Sequence, residues 1–88
     1  MIKHVPEAFE YITDEGKKLG ELTYSQSNGV IDGNHTFVDP SLRGQGIAGK
    51  LFDAFIAYAR ENDLKVVGSC SYVENKLRSA SDLDDVKA

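Results

Sequence analysis

A second cysteine is missing from this sequence: Cys70 is the only thiol. That excludes an internal disulfide framework and suits the cytoplasm. Long apolar runs are missing too. The longest fall far short of a membrane span, and the opening Met1-Ile2-Lys3-His4 leads into no signal-like region, so no membrane partner is expected. Basic charge is not in excess. Ten Lys and Arg stand against 14 Asp and Glu, a net charge of −4, which argues against nucleic acid as the main partner. No His, Cys and carboxylate group has metal-ligand spacing. No repeat or linker divides the 88 residues, which suffice for one domain with a small core. The remainder, 41% hydrophobic and 27% charged, is ordinary for a soluble globular protein.

What is present is strong patterning. Glu7 to Thr13 alternates as a strand with Phe9 and Tyr11 on one face, and the stretch before it, Met1 to Pro6, is expected to be loose. After the turn Asp14 to Lys17, Lys18 to Ser25 forms a second strand with Leu22 and Tyr24 facing together. Asn28-Gly29 is the strongest hairpin signal, since both residues tolerate positive φ, and Val30 to Val38 returns from it. These strands make an antiparallel meander. Gly46 to Asn62 then reads as a helix, with Ile47, Leu51, Phe52, Phe55, Ile56 and Ala59 on one stripe and Asn62 as a left-handed stop. Lys65 to Cys70 reads as a short buried strand, parallel to the third by the strand–helix–strand rule. Ser71-x-x-Glu74 has the form of a capping box and starts a short helix. Residues 1–78 are thus expected as one domain, with Ser79 to Ala88 a flexible acidic tail.

The densest chemistry is Arg43-Gly44-Gln45-Gly46-Ile47-Ala48, between a strand and a helix. A glycine-rich turn that opens a helix leaves backbone N–H groups free, and the helix dipole adds positive charge, so an anion such as phosphate is the natural guest. Gly44-x-Gly46-x-x-Gly49 imitates a dinucleotide fingerprint, but five residues, Asp39 to Arg43, separate the strand from the first glycine. The ribose-binding acid expected about 20 positions on is also absent. Gly44-x-x-x-x-Gly49-Lys50 imitates a nucleoside triphosphate loop, but Leu51 stands where a magnesium-ligating hydroxyl is required.

The third pattern, Arg43-x-x-Gly46-x-Ala48, resembles the GNAT-type N-acetyltransferases, whose motif is Gln or Arg, two residues, Gly, one residue, then Gly or Ala. Phe37-Val38-Asp39-Pro40-Ser41-Leu42 before it, Lys50-Leu51-Phe52 after it and Cys70-Ser71-Tyr72 beyond extend the resemblance over the second half of the chain. The nearest likeness is to very small single-domain members with a Cys-Ser-Tyr segment. The resemblance implies an α+β fold: a mixed sheet with an antiparallel meander, one main helix, a parallel strand and a short C-terminal helix. It implies binding of acetyl-coenzyme A, with the pyrophosphate at Arg43, Gly44, Gln45, Gly46, Ile47, Ala48, Gly49 and Lys50. Val38 would lie along the pantetheine arm, and Asn75 holds the position of a cofactor-contacting asparagine, although the downstream aromatic and Gly-Phe residues are absent.

The reaction implied is acetyl transfer to an amine on a small molecule or peptide. Candidate catalytic residues are Cys70, which a helix N-terminus would activate and the resemblance places near the thioester; Tyr72, a proton donor to the departing thiolate; and His35, a base near neutral pH. Glu10 and Glu21 are weaker candidates as bases. Family members carry an early strand and two helices that form the acceptor pocket, whereas only Met1 to Pro6 precede the first expected strand here. A coenzyme A-binding module without catalysis, completed by a partner or homodimer, is therefore an alternative. Acyl transfer through Cys70 is another.

Overall fold

A computed structural model describes all 88 residues, Met1–Ala88. Five strands form one sheet in chain order: β1 (Ile2–Val5), β2 (Ala8–Ile12), β3 (Lys18–Ser27), β4 (Val30–Val38) and β5 (Lys65–Gly68). The first four pair antiparallel, and β5 joins β4 in parallel. The connection from β4 to β5 is helix α1 (Ile47–Glu61), and helix α2 (Ser71–Ser79) follows β5. The mixed sheet, meander, main helix, parallel strand and terminal helix are those expected from sequence.

The hairpin between β3 and β4 turns at Asn28 (φ 53°) and Gly29 (φ 80°), the two positive φ angles a tight right-twisting turn demands. Helix α1 buries Ile47, Leu51, Phe52, Phe55, Ile56 and Ala59, the stripe its periodicity defines, against Phe9, Leu22, Tyr24 and Ile31 of the sheet. Both helices lie on this face. A Cβ on Gly33 would come within 3.2 Å of Phe55 in α1 and 2.9 Å of Val73 in α2. The opposite face carries no helix, and Phe37 and Val67 remain exposed on it.

Five details differ from the sequence reading. Met1 to Pro6 is not loose but supplies β1, whose His4 ring stacks on Phe9 at 4.2 Å and meets the Tyr24 hydroxyl at 2.6 Å. Pro6 and Glu7 form the tight link to β2. The left-handed residue ending α1 is Asp63 (φ 57°), one past Asn62, whose φ is −108°. Strand β5 ends at Gly68 because the next residues turn away: Ser69 donates its N–H and hydroxyl to Asp32. The Ser71–Glu74 capping box does not form. Cys70 is the N-cap, and Glu74 pairs with Arg78 instead.

The last difference is the segment after α2. Leu83 and Val86 are buried in the core, Val66 donates its N–H to the Val86 carbonyl at 2.6 Å, and Arg60 grips the Asp85 carboxylate at 3.0 Å. Two apolar residues spaced within an acidic stretch are enough to anchor it, so the expected free tail is packed.

Candidate functional site

Between β4 and α1 the backbone spends some N–H groups and leaves others free. Residues Pro40–Leu42 form a short 3-10 turn, which Asp39 caps by accepting a hydrogen bond from Ser41 N–H at 2.9 Å. That bond holds the Asp39 carboxyl below the usual carboxylate range. Leu42, Arg43 and Gln45 return their N–H groups to the carbonyls of Asp39, Pro40 and Leu42. The chain then runs left-handed at Gly44 (φ 86°) and Gly46 (φ 69°), a region where a Cβ is strained. The first N–H satisfied by the helix is that of Lys50, to the Gly46 carbonyl. The N–H groups of Gly44, Gly46, Ile47, Ala48 and Gly49 therefore have no backbone acceptor, at the positive end of a 15-residue helix.

Beside them lies a cavity of about 290 Å³. Of the residues expected at the cofactor, Val38, Arg43, Gly44, Gly46, Ile47 and Ala48 line it. Gln45 and Lys50 use their N–H groups within the turn, and Asn75 lies apart on α2. Asp39, Pro40 and Leu42 also line the cavity; the Asp-Pro turn signal after the strand was visible, but its role as a wall was not. Leu51 is fully buried in the core, which closes the magnesium-nucleotide reading structurally.

The cavity continues into a gap in the sheet. Strand β5 pairs only with Val30 to Gly33, while β4 runs on to Val38. Asp39 N–H reaches the Leu19 carbonyl across β3, so by strand alternation Phe37 and His35 also turn their backbone groups to β3. Val38 and Thr36 turn theirs into the gap, where no strand meets them. An extended ligand can pair with such an internal edge.

Cys70 closes the far end. Its N–H bonds the Gly33 carbonyl at 3.1 Å, and its Sγ lies 3.6 Å from Thr36 Oγ1. Partial burial pushes the thiol up, but hydrogen bonding from Val73 N–H, the Thr36 hydroxyl, Tyr72 N–H and Thr36 N–H outweighs it and holds the thiol below its usual value. Tyr72 sits on the first turn of α2 with its ring edge-on to Phe52 at 6.4 Å. Burial, assisted by Asp53, raises its hydroxyl pKa and keeps it protonated. Thr36 escaped the sequence reading because its direction depends on a bulge. The register shifts between Thr23 and Tyr24, leaving Asn34 as an extra residue in β4. Before the bulge Ile31 and Gly33 face the helices; after it Thr36 and Val38 do. His35 is thereby turned to the helix-free face, where its Nε2 lies 3.6 Å from the Glu21 carboxylate. The structure thus gathers Cys70, Tyr72 and Thr36 on one side of β4 and sets His35 on the other.

A family model described as GCN5-related N-acetyl-transferase matches residues 8–86. The chain belongs to this family. Its fold is similar to that of a GCN5-like protein from Staphylococcus aureus, assigned as an N-acetyltransferase, with 37% identity, a TM-score of 0.82, and coverage of 100% of this chain and 87% of that one. A protein from Klebsiella pneumoniae assigned as an acyl-CoA N-acyltransferase shares the fold at 22% identity and a TM-score of 0.68, over 89% of this chain and 61% of that one. Nourseothricin acetyltransferase shares it at 22% identity and a TM-score of 0.62, over 83% of this chain and 49% of that one. No curated protein matches the sequence. The chain is thus a GNAT-type protein, and membership implies acyl-coenzyme A binding and acyl transfer to a small-molecule or peptide amine. No helix is long and apolar enough to cross a membrane.

Proposed function

We propose that the protein binds acetyl-coenzyme A and transfers its acetyl group to an amine. The observation that carries this reading is the cluster of unpaired backbone N–H groups at the helix-opening turn, followed by the edge of β4 at Val38 that no strand meets and the gap that Cys70 closes. The residues present fit the group: free N–H groups and the Arg43 guanidinium for a pyrophosphate, a strand edge for the amide-bearing arm. When bound, the cofactor supplies an acetyl thioester, already activated for attack. The contact between Cys70 and Thr36 closes the end of the gap and favours a short acyl chain. Tyr72, whose hydroxyl burial keeps protonated, is the proton donor this reading assigns to a departing thiolate.

Titration calorimetry tests the first half. Coenzyme A should bind, whereas magnesium-ATP and NAD should not; tight ATP binding without coenzyme A binding would overturn the assignment. Transfer to amines, followed by release of free thiol, tests the second. A second reading, an acetyl-Cys70 relay, is favoured by the N–H groups converging on the Cys70 sulfur. Incubation with acetyl-coenzyme A would then add one acetyl group, visible by intact mass and absent in Cys70→Ala. A coenzyme A-binding module without catalysis would bind the cofactor and release no thiol beyond the uncatalysed rate.

A further inference from the structure

In a chain whose β1–β2 link holds no helix, the side from which an acceptor approaches is decided by packing. On the helix side of the gap Phe52, Phe55 and Val73 are at most 2% exposed, and Tyr72 stands edge-on to Phe52. Approach from that side would require the core to open. The other side is bare sheet. It carries His35, Phe37 two residues further along the strand, and Glu21 on β3.

These groups form one polar chain across three strands. Lys18 Nζ lies 3.5 Å from Glu10 and 2.9 Å from Glu21, and Glu21 lies 3.6 Å from His35 Nε2. The charged groups facing His35 from β2 and β3 are thus two carboxylates and one ammonium. Asp32, on the same face of β4, is occupied by Ser69. Lys3 on β1, opposite Glu10, balances the second carboxylate, so the pull on a cationic amine is local to Glu21 beside His35, and the Phe37 ring, 48% exposed, offers an apolar and cation-attracting surface next to it. His35 directly precedes Thr36, whose side chain meets Cys70, so His35 and Cys70 flank one gap from opposite faces. The Glu21 carboxylate near Nε2 favours the tautomer with hydrogen on Nε2, which leaves Nδ1 unprotonated and able to take a proton.

We propose that a cationic alkylamine reaches the thioester from the helix-free face of the sheet, where His35 takes its proton and Glu21 is the positioning residue that holds His35 in the competent tautomer. This rests on the acetyl-transfer reading of the site. The ammonium loses one proton to His35, and the freed lone pair attacks the carbonyl carbon. The C–N bond forms, the C–S bond breaks, and the departing thiolate takes up the nitrogen's second proton through Tyr72 or solvent. His35 returns its proton to solvent, so the sum is amide, coenzyme A thiol and one proton.

The test uses the whole chain with acetyl-coenzyme A, and 1,4-diaminobutane or aspartate as acceptor. His35 and Glu21 are on an open face, so His35→Gln and Glu21→Gln should fold and bind coenzyme A as the wild type does. Turnover of 1,4-diaminobutane should fall about 100-fold or more in His35→Gln, and added imidazole should partly restore His35→Ala. Glu21→Gln should lose roughly tenfold, chiefly in kcat. Nitrogen NMR of the His35 ring, read without cofactor, should show hydrogen on Nε2 in the wild type and a mixture of tautomers in Glu21→Gln. Aspartate should be a much poorer acceptor. A wild type that binds no coenzyme A would overturn the site reading itself. Normal binding with turnover indifferent to His35→Gln, a preference for aspartate, or hydrogen on Nδ1 in the wild type would overturn this proposal alone.

Discussion

The two halves of the sheet use the same residue for opposite ends. Where β4 and β5 pair, Gly33 and Gly68 are pressed against α2, and a Cβ on Gly68 would lie 2.7 Å from a Val73 methyl and 2.8 Å from the Glu74 nitrogen. Where β5 has ended, Gly44, Gly46 and Gly49 open α1 with nothing within 4 Å of a Cβ. In the closed half glycine lets a helix approach the sheet and fill every gap; in the open half it holds a left-handed turn whose donors stay unpaired. One half contributes stability, the other is the half proposed for recognition, and perturbing each should give a different signature.

The largest effect is expected at Gly68→Ala. Its methyl has to displace Val73 and the first turn of α2, so denaturant unfolding should report a loss of about 2–3 kcal/mol. Coenzyme A affinity of the molecules that remain folded should fall by much less than in Gly46→Val, since the turn that opens α1 is untouched. Val73→Ala in the same chain should recover part of the loss, and complete independence of the two changes would break the comparison.

Gly46→Val should reverse the pattern. The left-handed backbone makes a branched side chain strained, at about 1–2 kcal/mol, with no collision to add. Binding of coenzyme A should weaken roughly tenfold or more, the scale of one charged hydrogen bond. A variant with wild-type affinity would show that the turn is not the anion site.

Cys70 stands where the halves meet, and its titration gives a smaller, pH-dependent effect. The folded thiol lies below its ordinary value of 9.0, so the thiolate contributes stability that is fully present above the unfolded cysteine pKa and is lost as pH falls through the folded one. The wild type should therefore gain stability relative to Cys70→Ser as pH is raised towards that of unfolded cysteine. A constant difference across that range would remove the N–H groups as its cause. Thiol alkylation should also be slowed by bound coenzyme A.

The smallest effect concerns the C-terminal segment on the closed half. Arg60 holds the Asp85 carboxyl below its usual range, but both groups are exposed. Arg60→Ala should leave the unfolding midpoint almost unchanged while speeding hydrogen exchange at Lys87 and Ala88. The Val86 amide, whose side chain is buried, should be less affected.

Much of this division could be read from the chain. The stripe from Ile47 to Ala59 buried as its 3.6-residue period required, and Asn28-Gly29 turned where two positive φ angles were available. The turn from Arg43 to Ala48 was legible because a helix N-terminus is a local object: its unpaired donors follow from backbone connectivity alone. The limits of β5 and the docking of Leu83 and Val86 were less so, since each depends on a partner far away in sequence. The two-residue period of a strand puts His35 and Phe37 on one face, and they do share one, but which face it is could not be read.

The sequence by itself determined the periodic elements, the order in which they are joined and the glycine turn with its unpaired donors, because short-range sterics and hydrogen bonding act between residues a few positions apart. Tertiary structure decided that β4 outruns β5, that one bulged residue, Asn34, sends Thr36 to Cys70 and His35 to the open face, and that an acidic terminus is packed. Those outcomes depend on which strand lies beside which and where a helix finds room, and such contacts have no counterpart in local pattern.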